Sequence, residues 1–271
     1  MSLSCNRFHS GLIVILLRLL PALLPALLLN SCSQTNSAHD WIQLFNGKDL
    51  TGWTPKFSDR EPGVNFRQTF QVEDGILKIS YQGYETFDNA FGHLFHDSVF
   101  SRYHIRVEYR FTGEQVPEGP AWGLRNNGVM LHAQSPASMA INQHFPVSVE
   151  AQLLGGDRTG ERTTGNVCTP GTHIEMNGEL ITRHCTNSRS LTFHGNQWVT
   201  FEAVVRGDSS ITHIVNGDTV LVYEKPQLDI TDPDARRLLD RGADIALKKG
   251  YIAIQAESHP TEFRKIEIQR L

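Results

Sequence analysis

Apolar and polar residues alternate along most of this chain, while the three- and four-residue spacing of an amphipathic helix is nearly absent. "YHIRVEYRF" (103–111) sets Tyr103, Ile105, Val107, Tyr109 and Phe111 against His104, Arg106, Glu108 and Arg110. Residues two apart in a strand share a face, so such a segment buries one face and wets the other. The same reading applies to "NGVMLHA", "SVEAQLL", "WVTFEAVVRG", "GYIAIQAES" and "FRKIEIQRL". Tight turns punctuate the strands: Asp74-Gly75, Asn177-Gly178 and Asn216-Gly217 are the dipeptides that two-residue hairpins favour. One helix is expected, in "TDPDARRLLDRG", with Asp or Thr as its cap, Pro233 in its first turn and Gly242 past its end. Many strands joined by hairpins, with no strand-helix-strand alternation, make an all-β sandwich or barrel. "WIQLFNGKDLTGW" and "RKIEIQRL" both read as strands, and pairing of the first with the last ties down the two ends.

The first thirty-one residues stand apart from this pattern. Arg7 and Arg18 precede "LLPALLPALLL", a run too short for a bilayer and broken by Pro21 and Pro25, so a secretory signal fits better than an anchor helix. It ends in "LNSC", which resembles the lipobox of bacterial lipoproteins, whose cysteine, here Cys32, is acylated and becomes the N-terminus. Residues 32–40 are then expected to form a tether and 41–271 a single extracytoplasmic domain, held in the bacterial cell envelope by the lipid on Cys32, at the outer membrane where the host has one. The leader removes Cys5, leaving Cys168 and Cys185 on either side of the Asn177-Gly178 turn. An exported domain favours a disulfide between them, adding about 3 kcal/mol by loop entropy. A thiolate metal site with His173 or His184 is the alternative. Charge adds little: without Arg7 and Arg18 there are 23 basic and 29 acidic residues, and no basic patch marks a nucleic-acid partner.

"FPVSVEAQLLGG" (145–156) raises the question of chemistry. Val147, Val149, Ala151 and Leu153 share one face; Ser148, Glu150 and Gln152 share the other. Solvent or a substrate groove is what that second face meets. "GYIAIQAES" repeats the device with Gln255 and Glu257, and His132 ends a third strand.

"LFNGKDLTGW", "NNGV", "VEAQLL", "TGNVC", "HIVNG" and "GYIAIQAESHPTEFRKIEIQRL" resemble, in order and over nearly the whole mature chain, the motifs of the 3-keto-disaccharide hydrolase family. The resemblance implies a concanavalin-like jelly-roll sandwich that cleaves glycosides whose sugar carries a ketone at C3. A C3 ketone acidifies the hydrogen on C2, so a base removes it, the C1 substituent leaves, and water adds back. That chemistry needs a base, an acid near the leaving oxygen and a donor or cation for the enolate. Carried over, it points to Glu150 and His259 for acid-base work and to Arg264 or a divalent metal for the enolate, with Gln152, Asn127 and Gln255 on the sugar hydroxyls. Two departures stand out. His132 sits where many relatives have Arg, and "IQAESHP" displaces the family histidine to His259, behind a Glu257 that is the alternative for its role. No metal-ligand spacing is present, so a metal would have to be held by residues from separate strands. The competing readings are a carbohydrate-binding module of the same fold, relying on aromatics such as Trp53, Tyr84 and Trp122, and an ordinary two-carboxylate glycoside hydrolase.

Overall fold

A computed structural model describes residues 40–271; the leader, Cys32 and most of the tether lie outside them. The strands are β1 (Ile42–Gln43), β2 (Trp53–Phe57), β3 (Phe70–Glu73), β4 (Ile76–Ile79), β5 (Gly92–Phe100), β6 (Arg102–Phe111), β7 (Asn126–Ala133) and β8 (Val149–Leu154). The second half adds β9 (Asn166–Cys168), β10 (Thr172–Met176), β11 (Glu179–Ile181), β12 (Cys185–Thr186), β13 (Val199–Arg206), β14 (Ser210–Val215) and β15 (Asp218–Leu228). After α1 (Pro233–Asp240) come β16 (Gly250–Ala256) and β17 (Thr261–Arg270).

They form two antiparallel sheets: β11-β10-β15-β14-β13-β6-β17-β4-β3, with β1 on β17, and β12-β9-β8-β7-β16-β5-β2. The result is the expected jelly-roll sandwich with one short surface α-helix. The hairpin dipeptides act as read: Asp74-Gly75, Asn177-Gly178 and Asn216-Gly217 all take positive φ at both positions, the backbone that matches strand twist in a type I′ turn. Ile42 pairs with Ile268, closing the first strand onto the last. Asp232 caps α1 by accepting from the amides of Asp234 and Ala235, with Pro233 next in line.

The odd-numbered residues of β6 interdigitate between the sheets with Val129 and Leu131 of β7 and Val149, Ala151 and Leu153 of β8. Each of the larger aliphatic side chains among them contributes about 1.5–3 kcal/mol by leaving water. The outer face of the seven-stranded sheet is the unexpected part, because half of it is roofed. Residues 134–147 fold back over β2, β5 and β7: Met139 packs on Phe95, Met130 and Ala253, and the Ile141 carbonyl accepts from Lys56 Nζ at 3.1 Å. All eight residues of β7 are consequently buried, and the unroofed remainder of that face is a groove.

Candidate active site

The groove, about 620 Å³, opens over β7, β8 and β9 and is lined by Trp122, Asn126, Phe145, Glu150, Gln152, Arg162, His184 and Glu257 among others. Glu150 and Gln152 of β8 face it, so the polar face of "SVEAQLL" meets a groove. Glu150 stands between Met130 of β7 and Cys168 of β9 in the ladder. Apolar flanks strip water from it, and this burial pushes its carboxyl up to about 8. Gly128 makes room for it: a Cβ there would lie 2.4 Å from Glu150 Oε1.

Glu257 follows the end of β16 and is equally buried, at 3% exposure. Burial first and the neighbouring Glu150 charge second hold its carboxyl well above the usual range, while Arg162 pulls the other way. Two buried carboxyls side by side cannot both ionise at neutral pH, so when one loses its proton the other keeps its own. Arg162 is set in place by donating Nη1 to the Gly155 carbonyl at 2.8 Å. Gln152 accepts from Asn166 Nδ2 at 3.1 Å, which fixes its amide on the wall. The far wall is the Cys168–Cys185 disulfide, joining β9 to β12 where the two cysteines face each other in register. Trp122, 51% exposed, lies parallel to Phe91 at 5.8 Å and forms the rim.

A model of the 3-keto-alpha-glucoside-1,2-lyase-like domain matches residues 40–269. The chain belongs to this family. Among curated proteins none matches it. Among solved structures it is similar to a provisionally named glycosyl hydrolase of Parabacteroides distasonis ATCC 8503, with 18% identity, 85% of this chain and 94% of that one covered, and a TM-score of 0.48. It is similar also to a β-glucanase of Bacillus licheniformis (13% identity, 86% and 98% covered, TM-score 0.47). A carbohydrate-binding module of Bacillus subtilis shows 8% identity, 80% and 95% coverage and a TM-score of 0.45.

Within this family member, the residues expected from the sequence divide by position. Glu150, Glu257 and Gln152 line the groove, and Gln255 shares their face but lies deeper, wholly buried. Asn127 does not line it. Its side chain turns between the sheets, donating Nδ2 to the Gln255 carbonyl at 2.7 Å, while its neighbour Asn126 takes the groove position. His132 is also elsewhere: β7 bulges there, with His132 at φ 50°, and its Nε2 meets the Gly207 carbonyl at 3.1 Å. His259 is buried behind the groove, its ring 5.6 Å from Phe111. Burial, then Arg125 and Arg162, push it down to about 4, so it is neutral. Arg264 is on the opposite sheet, bound to Glu108 and lying over Trp198 at 4.6 Å; the groove's cation is Arg162.

The aromatics divide likewise. Trp53 donates its indole N–H to the Leu44 carbonyl at 3.0 Å inside the fold and Tyr84 bonds Thr69, leaving Trp122 alone of the three on the groove. As for metal, Cys168, His184 and Cys185 are the one close group of three metal-type ligands among the described residues, and the disulfide occupies both sulfurs. Arg162 and Asn126 escaped the sequence reading, and His184, named there only as a partner for the cysteines, lines the groove without a metal role. Asn126 was within reach of it, since Asn127 shares parity with the core residues Val129 and Leu131; Arg162 and His184 sit outside any strand, where no periodicity marks them.

Proposed function

We propose that this protein cleaves 3-keto-glycosides by elimination followed by hydration, with Glu150 as base and Glu257 as acid. Family membership points to a glycoside as substrate, and the observation that carries the chemistry is the pair of buried carboxyls on the groove floor. Glu150, the more easily ionised, takes the C2 proton, and the C–H electron pair forms C2=C3 as the carbonyl pair moves to oxygen. The enolate then re-forms the C3 carbonyl, C1=C2 forms, and the C1–O bond breaks with Glu257 delivering its proton to the leaving oxygen. Water next adds at C1 and a proton returns to C2, so the sum is hydrolysis. No oxidant is consumed, because the ketone arrives with the substrate; a sugar 3-dehydrogenase must act upstream. Arg162 keeps the negative charge in the groove tolerable. The disulfide supports a place outside the cytoplasm, in keeping with lipidation at Cys32.

The test is to offer purified protein one disaccharide with and without oxidation at C3. Cleavage of the oxidised form alone is expected. Cleavage of the unoxidised sugar assigns the two carboxyls to ordinary hydrolysis, and binding of both without turnover assigns Trp122 and the groove to a binding module.

A further inference from the structure

Three buried polar residues stand in register across the roofed half of the groove sheet. Lys56 of β2 faces His93 of β5, and His93 faces Gln255 of β16. None is more than 1% exposed. Lys56 is anchored, its Nζ donating to the Phe57 carbonyl at 2.6 Å. His93 and Gln255 are different: neither ring nitrogen and neither amide atom has a hydrogen-bond partner. A buried polar atom left unpaired costs about 1–3 kcal/mol, whereas apolar side chains of the same shape would cost nothing. Such a pair is retained for something it binds.

Its position says what. Gln255, in β16, precedes by two residues Glu257, which follows the strand's end. The ladder that pairs Ile254 with Val129 brings Gln255, one step on, beside Gly128, over which the Glu150 carboxylate lies. Phe145, a wall of the groove, has its ring 6.0 Å from that of His93, so the pair lies one side chain behind the wall.

We propose that His93 and Gln255 are the two donors that grip the C3 carbonyl oxygen of the substrate and hold it as the enolate oxygen. The inference rests on the elimination reading, which requires such donors beside the base, and Arg264 is too far away to serve. Burial and the charge of Lys56 push His93 down to about 3, so it is a neutral imidazole with one N–H to give; the Gln255 amide gives another. A carbonyl oxygen has two lone pairs for them, and Lys56 behind His93 adds positive potential where water is excluded. The carbonyl reaches the pair as Phe145 turns aside.

The experiment isolates enolisation. The probe is a 3-keto sugar with hydrogen in place of the C1 substituent, which cannot eliminate, and exchange of its C2 hydrogen in heavy water is followed by NMR. The wild-type protein is expected to exchange it, and His93→Phe and Gln255→Leu are each expected to slow the exchange by about 10²-fold. Their melting temperatures should be unchanged or higher, since each removes an unpaired polar group. His93→Gln, which restores an N–H, should recover part of the rate. Wild-type exchange that persists unchanged in both variants, or a loss matched by unfolding, overturns the donor pair and leaves the elimination reading intact. No exchange by the wild type removes the elimination reading, and the donor pair with it.

Discussion

The carboxylate of Glu150 occupies the space in which a side chain at position 128 would stand. The two residues are diagonal neighbours on β7 and β8, since Gly128 faces Gln152 and Glu150 faces Met130. Gly128→Ala would set a methyl group 2.4 Å from Glu150 Oε1 and push the carboxylate from the floor. The expected outcome is a fall in kcat of about 10²-fold, the usual worth of a positioned base, with a stability loss of about 1–3 kcal/mol from overpacking. Steady-state kinetics beside a urea melt checks both.

Glu150 also fixes a pH dependence. Its folded carboxyl is raised from 4.5 to about 8, so the folded state holds a proton that the unfolded chain has lost over that interval. The contribution of Glu150 to stability is therefore full below about pH 4.5 and is lost as pH rises through about 8. Glu150→Gln abolishes this decline, and above pH 8 the variant should exceed the wild type by up to about 5 kcal/mol. Activity runs oppositely, rising through about pH 8 as the base ionises. Melts and kcat/KM profiles from pH 5 to about 9 report the two limbs.

Much of this was legible in the alternation. Period-two patterning fixed which residues of β6 and β8 enter the core, the three Gly-containing turns marked the hairpins, and the pairing of β1 with β17 followed from two strand-like ends. What escaped has physical causes. The bulge at His132 shifts register by one residue, and one residue is enough to turn a side chain to another face. The roof over Lys56 and His93 comes from a loop, residues 134–147, whose path no local periodicity encodes. Arg162 is likewise a loop residue, whereas Arg264, reached through the enolate's need for a cation, belongs to a strand of the opposite sheet and pairs with Glu108 there.

The two arginines therefore make opposite predictions. Arg162→Ala should lower kcat/KM by about 10²-fold through lost charge stabilisation in the groove. Arg264→Ala, on the other sheet in a half-exposed pair with Glu108, should leave kcat/KM within about twofold and cost about 0–1 kcal/mol. Parallel assays of both variants decide which cation serves the groove.

Reduction should loosen the groove's wall. Cys168 and Cys185 are separated by 17 residues, so loss of the bridge is expected to cost about 3 kcal/mol. Because β12 holds only Cys185 and Thr186, that edge should open first. Hydrogen exchange with and without reductant is expected to show new exposure around residues 183–188, and equal protection in both would contradict it.

Elimination is tested most directly by cleavage of a 3-keto-disaccharide in heavy water, with the released keto sugar trapped by reduction at early times and read by mass spectrometry and NMR. Elimination and hydration through Glu150 and Glu257 predict one deuterium at C2 in each released sugar and solvent oxygen at C1. Release of a sugar that keeps its original C2 hydrogen would rule out elimination.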